Sequence, residues 1–339
     1  MILVTGATGL IGSHLIYNLL KTNDKIIAVK RKNSNLENTK KVFSYYSVDY
    51  ENLFSRIIWR EAEILNIEEL NDAFEGVTHV YHCAAIVSFN SKTKKNIIKH
   101  NVEYTANVVN VSLKNKIKKL CHVSSIASLG GELNKVTTET SHYEQVNTKS
   151  KYSESKYQSE LEVWRGAEEG LDVVIVNPSV VIGPGNWKNG STSIIYNIWK
   201  GLKFYTQGIT GYVDVNDVAN IMIMLMNSEI KSERFIITSE NISFKDLFST
   251  ISENLKVKPP KYEANKFMLN LAWRFDKIKS LIPGQQNVFT KELAKSALEK
   301  TEYSNEKIIK YLNYKFLPIN KSIENTTKLF LNDFSKQQK

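Results

Sequence analysis

The first fourteen residues, Met1-Ile-Leu-Val-Thr-Gly-Ala-Thr-Gly-Leu-Ile-Gly-Ser-His14, constrain the fold more than any other part of the chain. Ile2 to Val4 read as a short buried strand, and Leu15, Ile16, Leu19 and Leu20 recur at helical spacing. Between them Gly6, Gly9 and Gly12 stand three residues apart. Gly6 permits a tight turn, Gly9 lets a pyrophosphate approach the backbone, and Gly12 lets the helix pack down on the sheet. The helix start then offers unpaired N–H groups and a positive dipole end to phosphate. Three spaced glycines alone also fit an ordinary glycine-rich turn. Their place between a strand and a helix, at the head of a βαβ pattern, marks a dinucleotide-binding corner.

The pattern continues down the chain. Lys25 to Lys30, Arg56 to Ile64, Val77 to Cys83, Ile117 to Val123 and Leu171 to Val176 read as further strands. Ile67 to Phe74, residues 92–114 and Ser153 to Trp164 read as helices, and residues 35–55 as one helix and a loop. Such alternation predicts an α/β fold, a doubly wound, Rossmann-type parallel sheet with right-handed crossovers. This nucleotide-binding domain is expected over residues 1–177, with a return segment near 213–240 in which Phe235 to Thr238 rejoins the sheet edge. After Pro178 the pattern loosens into a Gly183-Pro184-Gly185 turn, a short helix at Ile194 to Trp199 and a very apolar helix at Val213 to Met226. From Ile242 the reading is helical, broken at Pro259-Pro260 and Pro283-Gly284. Residues 178–212 and 241–339 are expected to form a smaller, mostly helical lobe over the substrate.

Composition excludes more than it assigns. No uninterrupted apolar run is long enough to span a bilayer, and the first strand begins at residue 1 or 2, which leaves no room for a cleaved signal. Cys83 and Cys121, the only two cysteines, lie in apolar strand-like runs and are expected to be buried, reduced thiols of a cytoplasmic protein. The net charge of +10 comes from lysines scattered among Glu and Asn, without a basic stripe interleaved with aromatics. Neither a nucleic-acid nor a membrane partner is expected, and no metal site is assigned.

Ligands of open parallel sheets bind beyond the carboxyl ends of the strands, so the residues after each strand are the ones to read for chemistry. The fifth strand ends in Val123-Ser124-Ser125-Ile126-Ala127, and Tyr152-Ser-Glu-Ser-Lys156 follows after a loop at 129–150. Tyr and Lys four apart lie on one helix face. A phenol of pKa about 10 beside an ammonium is pulled toward phenolate and can exchange a proton with a substrate oxygen near neutral pH. A serine alongside can hold the same oxygen. The spacing recurs at Tyr303/Lys307 and Tyr311/Lys315, but those pairs fall in the C-terminal helices, far from any strand end, and read as surface residues.

The chain resembles the extended short-chain dehydrogenase/reductase family, also called the NAD-dependent epimerase/dehydratase family. The match uses Thr5 to Gly12 (TGATGLIG), His82 to Ala85 (HCAA), Asn101 to Val108 (NVEYTANV) and Val123 to Gly130 (VSSIASLG). It continues through Tyr152 to Lys156 (YSESK), Asn177 to Gly185 (NPSVVIGPG) and Tyr212 to Ala219 (YVDVNDVA), covering about residues 2–240. The resemblance implies that Tyr152 is the general acid/base, that Lys156 binds the nicotinamide ribose and lowers the tyrosine pKa, and that Ser125 hydrogen-bonds the reacting oxygen, with Ser124 as second choice. It implies cofactor contacts at Gly6, Thr8, Gly9, Leu10, Ile11 and Gly12, at Glu63 and Ile64, at Ala84 and Ala85, at Tyr152 and Lys156, and at Pro178 and Ser179 along the nicotinamide. Asn101 takes a structural role. Two positions depart from the family pattern: Tyr104 stands where Gly is usual, and Glu63 where Asp contacts adenine. The family also implies a homodimer through the helices at 92–114 and 153–165.

An NAD-preferring site places an acidic residue after the second strand. Here Val29-Lys30-Arg31-Lys32-Asn33-Ser34 follows, with no acid before Glu37. Arg31, with Lys32 beside it, suits a ribose 2′-phosphate, so NADP(H) is expected over NAD(H); a merely solvated basic turn is the alternative. Ile126-Ala127 after Ser125 replaces the Asp-Glu of sugar-nucleotide dehydratases, and Ser128-Leu129-Gly130 replaces the Val-Tyr-Gly of epimerases. The pattern looks more like the dihydroflavonol-reductase and 3β-hydroxysteroid-dehydrogenase branch, which implies NADPH-dependent reduction of a ketone or aldehyde. A nucleotide-sugar epimerase that retains NAD, and a non-catalytic NAD(P) sensor, are the alternatives. The intact Ser125/Tyr152/Lys156 set counts against the sensor. Trp187, Trp199, Phe204, Met222, Met268 and Trp273 are expected to serve the lobe's core, some of them lining an apolar substrate pocket.

Overall fold

The computed structural model describes residues 1–86, 96–131, 135–141, 143, 150–279 and 291–335, without the side chains of 275–279, 292 and 293. The start of the helix expected over 92–114, much of the 129–150 loop and the Pro283-Gly284 break lie outside the described residues.

The first half alternates as the periodicity requires. It runs β1 (Ile2–Thr5), α1 (Leu10–Leu19), β2 (Ile26–Lys30), α2 (Glu37–Ser44), α3 (Tyr50–Ser55), β3 (Ile57–Glu61), α4 (Ile67–Ala73), β4 (His79–His82), α5 (Ile97–Lys114), β5 (Lys119–Val123), α6 (Lys151–Glu168) and β6 (Val173–Pro178). The second half contains β7 (Val180–Ile182), α7 (Ser193–Trp199), β8 (Phe204–Tyr205), β9 (Ile209–Asp214), α8 (Val215–Met226), β10 (Glu233–Ile237) and β11 (Glu240–Ser243). It closes with α9 (Phe244–Leu255), β12 (Tyr262–Glu263), α10 (Lys266–Lys279), α11 (Lys291–Ser296), α12 (Glu306–Leu312) and α13 (Ile319–Ser335). Seven strands form one parallel sheet in the order β10-β6-β5-β4-β1-β2-β3, and the order reverses between β1 and β4.

The strands are buried on both faces, which is why they read as continuous apolar runs. Successive residues still point to opposite sides. Val4, Ala28, Val174 and Val176 join α1 and α8 in one core cluster, while Leu3, Ile27, Val173 and Ile175 join α4, α5 and α6 in another. A third cluster, built on Trp187, Ile198, Leu247, Ile323 and Phe330, forms the lobe.

Several sequence expectations change. Residues 35–55 hold two helices, α2 and α3, separated by a turn. The apolar run expected as one helix from Val213 is divided at Asp214. Tyr212 and Val213 pair with Val180 and Val181 in a strand, and the Asp214 carboxylate accepts the Asn216 N–H at 2.7 Å, which starts the helix. Met222 belongs to the core beneath the main sheet rather than to the lobe, Phe204 and Met268 are exposed, and Cys83 is only partly buried. Tyr303 precedes α12 and bridges to Thr137, so it is no helical surface residue; Lys307 is half-buried and donates to Glu233 at 2.6 Å. Ile308, placed in the lobe by its position in the chain, packs in the first cluster against the sheet.

Carboxylates tie the lobe to the sheet domain. Asp217, in the first turn of α8, accepts from Tyr314 Oη at 2.8 Å and from the Leu317 N–H at 2.9 Å. Asp333 on α13 accepts from Tyr45 Oη at 2.5 Å and Trp187 Nε1 at 2.6 Å, and pairs with Lys41 Nζ at 2.7 Å.

Candidate active site

The glycine corner closes through a Gly9 N–H to Gly6 carbonyl bond of 3.0 Å, with Gly6 at φ +66°. A Cβ on Gly6 would stand 2.5 Å from Ala84 N, and one on Gly12 would stand 2.2 Å from the Gly6 carbonyl oxygen. Gly12 therefore clears the turn itself, rather than the sheet as expected from sequence. No side chain caps α1, and its first turn holds no acidic residue. The N–H groups at its start are free to meet phosphate oxygens. This cradle fits a nucleotide pyrophosphate, with Thr8, Gly9, Leu10 and Ile11 around its mouth.

The expected adenosine-side residues lie at the ends of β2 and β3. Arg31 and Lys32 are exposed, and the Arg31 N–H is held by Ser34 Oγ at 3.0 Å. Lys30 is already paired with Glu61 at 3.1 Å. Glu63 is exposed, with its N–H on Glu69 Oε2 at 2.8 Å, and the carbonyl of buried Ile64 accepts from Asn107 at 2.9 Å. Ala84 and Ala85 follow β4, half-buried beside the glycine turn. Tyr104 packs at the edge of the second core cluster, where its larger side chain is accommodated.

The three proposed catalytic residues converge. Ser125 follows β5 and begins a short 3-10 turn, Ile126–Ser128, where its hydroxyl accepts the Ala127 N–H at 3.1 Å. Ser150 caps α6 through the Ser153 N–H at 3.0 Å, which places Tyr152 in the first turn and Lys156 one turn further. The Tyr152 side chain lies close enough to the Ser125 hydroxyl to feel its influence. Lys156 Nζ donates to the Val123 carbonyl at 2.9 Å, beneath the same strand end. Ser124 is buried and turned toward Ser128 at 3.3 Å. Pro178 and Ser179 end the neighbouring strand β6, Ser179 with both its N–H and Oγ on the Ile237 carbonyl.

The electrostatics correct one expectation. Burial pushes the Tyr152 phenol above its ordinary range and outweighs the downward pull of the Ser125 hydrogen bond. Burial also brings Lys156 down to about 8, against the raising influence of Glu160 and Cys83. The sequence expectation of a lysine-lowered tyrosine is thus not met, because desolvation dominates both groups. Beneath them His82 is brought down to about 3 by burial, and Cys83 is pushed up to about 12. Both are neutral near pH 7.

Asn101 ties the site together from α5. It accepts from the Ile86 N–H at 2.7 Å and donates to the Ile86 carbonyl at 3.1 Å and to Ser155 Oγ at 3.2 Å. Sequence reasoning missed Glu160, which continues the Tyr152–Lys156 helix face one turn on and is buried. The same four-residue spacing could have found it. Among the described residues no group of three or more His, Cys, Asp or Glu side chains could hold a metal ion, and no helix is long and apolar enough to cross a membrane.

Comparison with known proteins matches this geometry. A sequence model described as the NAD dependent epimerase/dehydratase family covers residues 2–237. The chain is 25% identical over 253 residues to sterol demethylase protein B of Methylococcus capsulatus, covering 74% of this chain and 73% of that one. It is 28% identical over 283 residues to a putative dihydroflavonol 4-reductase of Synechocystis, covering 81% and 78%. Among solved structures, gox2253 superposes with a TM-score of 0.81 at 25% identity, covering 98% of each chain.

Proposed function

Because the chain belongs to the NAD-dependent epimerase/dehydratase family, the extended short-chain dehydrogenases and reductases, we propose that this enzyme is an oxidoreductase that reduces a ketone or an aldehyde with NADPH, or oxidises the corresponding alcohol. The observation that carries the reading is the convergence of Ser125, Tyr152 and Lys156 at the end of β5, with Lys156 Nζ on the Val123 carbonyl. A nicotinamide cofactor, when bound, supplies the hydride. Ser125 and Tyr152 then hold the substrate oxygen, and Tyr152 gives its proton to the alkoxide. Lys156 offers a cation to the ribose side of the same pocket. The proton consumed at Tyr152 is replaced from solvent, and the alcohol leaves.

Reduction is favoured over epimerisation by Ile126-Ala127 and Ser128-Leu129-Gly130 after Ser125, and by relatives whose names are those of reductases. NADPH is favoured over NADH by Arg31 and Lys32, exposed beyond β2 with no carboxylate before Glu37. Guanidinium and ammonium groups there suit a 2′-phosphate. The same reading makes the protein a cytoplasmic homodimer joined through α5 and α6, where Leu161 is an exposed apolar side chain; sedimentation velocity checks the association.

The test is a titration of the nucleotide-stripped protein with NADPH and with NADH, after identifying any nucleotide released on denaturation. Clear preference for NADPH with no retained NAD is the expected result. Tightly retained NAD puts a nucleotide-sugar epimerase in its place, and equal affinities remove the role given to Arg31.

A further inference from the structure

Glu160 has a relative exposure of 1%, and an unpaired carboxylate buried to that degree costs several kcal/mol. It is not unpaired. Oε1 lies 2.5 Å from Ser128 Oγ and 2.6 Å from Asn177 Nδ2, and Oε2 lies 3.2 Å from Arg234 Nη1. Two of these partners also reach the turn that carries Ser125. Ser128 Oγ is 2.7 Å from the Ser125 carbonyl oxygen, and Asn177 Nδ2 is 3.2 Å from it. Asn177 has two N–H protons, enough for the carboxylate and the carbonyl together.

Arg234 completes the arrangement from the edge strand β10. Its Nε and Nη2 hold the Glu139 carbonyl at 2.8 and 2.5 Å, and Glu139 in turn accepts the Ile236 N–H at 2.9 Å. The guanidinium is thereby fixed, and so is the carboxylate it faces. Lys156 stands one helical turn earlier on the same face of α6, buried like Glu160, with its Nζ on the Val123 carbonyl, so the carboxylate's charge reaches it through space. The other titratable groups that face Lys156 are Cys83, His82 and His122, from β4 and β5, all held neutral near pH 7 by burial. Tyr152 shares its helix face.

We propose that Glu160 is the positioning residue of the site: through Ser128 and Asn177 it fixes the turn that presents Ser125, and its negative charge faces the Lys156 ammonium. The inference rests on the reductase reading for its catalytic meaning, but its physical content needs no substrate. Glu160 acts through Ser125 and Lys156 rather than at the reacting atoms.

The experiment is an NMR titration of 15N-lysine-labelled protein without nucleotide, with the Lys156 signal assigned by its loss in Lys156→Met. The wild-type midpoint is expected at about 8. Glu160→Gln keeps the side-chain volume and removes the charge, and is expected to lower that midpoint by about one pH unit. Ser128→Ala removes a turn contact without changing charge, and should leave the midpoint in place. On any carbonyl compound that the wild type reduces, Ser128→Ala should lower kcat about tenfold with little change in KM. A folded Glu160→Gln protein with an unmoved Lys156 midpoint overturns the proposal, as does a Ser128→Ala enzyme of full kcat. If Glu160→Gln does not fold, Arg234→Gln replaces it; a Lys156 curve identical to wild type there overturns the proposal, and a displaced one supports it. A wild type that reduces no carbonyl but shows the Glu160-dependent midpoint refutes the reductase reading and leaves the positioning role standing.

Discussion

Tyr152 and Tyr314 are both half-buried tyrosines whose phenols are raised by burial, one beside Ser125 and the other bonded to Asp217. They nevertheless belong to regions held together differently. Around Tyr152 the main chain does the placing: a strand ends, a cap starts the helix, and helical repeat aligns the side chains. Around Tyr314 the elements are short, and single carboxylates hold them in place. Asp214 receives Ser322 at 2.6 Å, Asp217 receives Tyr314 and Leu317, and Asp333 receives Tyr45 and Trp187. Chemistry is thus mounted where backbone geometry is over-determined, and the covering lobe is attached by contacts that one substitution can remove.

Deleting the same oxygen in the two regions is the sharpest way to break that contrast. Tyr152→Phe should lower kcat/KM by about 10²- to 10⁴-fold, the usual range for losing a positioned acid/base, with little change in melting temperature. Steady-state kinetics and a thermal melt read the two quantities separately. Next in size is Gly12→Ala, whose Cβ has no room before the Gly6 carbonyl. It should cost about 1–3 kcal/mol of stability and weaken nucleotide binding by more than tenfold, both seen in melts with and without NADPH. Arg31→Ala should weaken NADPH about tenfold and leave NADH unchanged, as measured by fluorescence titration. A parallel loss for both nucleotides would mean that this loop supports the fold and not the phosphate.

The lobe should show the smaller effects, and they should be pH-dependent. Burial raises the Asp217 carboxyl from 3.8 to about 6, so folding retains its proton at a pH where the unfolded chain has lost it. That contribution is fully present below about pH 4 and is lost as pH rises through about 6. Asp217→Asn should remove this slope, a difference of at most about 2 kcal/mol after allowance for solvent screening, read by urea unfolding at pH 4 and pH 7. Tyr314→Phe comes last, at about 1 kcal/mol with kcat unchanged. An equal loss of kcat there would show that the lobe contact, too, is part of the reactive geometry.

The same contrast explains what could be read from sequence. The glycine corner, the strand ends and the Tyr152–Lys156 pair announce themselves because turns, caps and helix faces are local and periodic. The division at Asp214 was hidden because a buried strand and a buried helix share one apolar composition, and only the capping carboxylate separates them. Residues 35–55 read as one helix and a loop because α3 has only six residues and neither helix has a side-chain cap to mark its start. Composition alone does not single out Glu160 from the other acids of its helix. Its partners Ser128, Asn177 and Arg234 come from three separate stretches that only the folded sheet brings together. Tyr303 was misplaced for the same reason, since its bridge to Thr137 spans nearly half the chain.

The junction at Asp333 also sets an order of assembly. Helix α2 follows directly on the Arg31–Leu36 loop, and its Lys41 and the Tyr45 that ends it wait for a carboxylate nearly three hundred residues later. On the ribosome the parallel sheet can form while α13 is still unmade. Helix α2 then stays unfastened until α13 emerges. Nucleotide affinity in nascent chains should therefore rise in two stages, once with β6 and again with residue 333, and a chain stopped between them would be folded but loosely loaded.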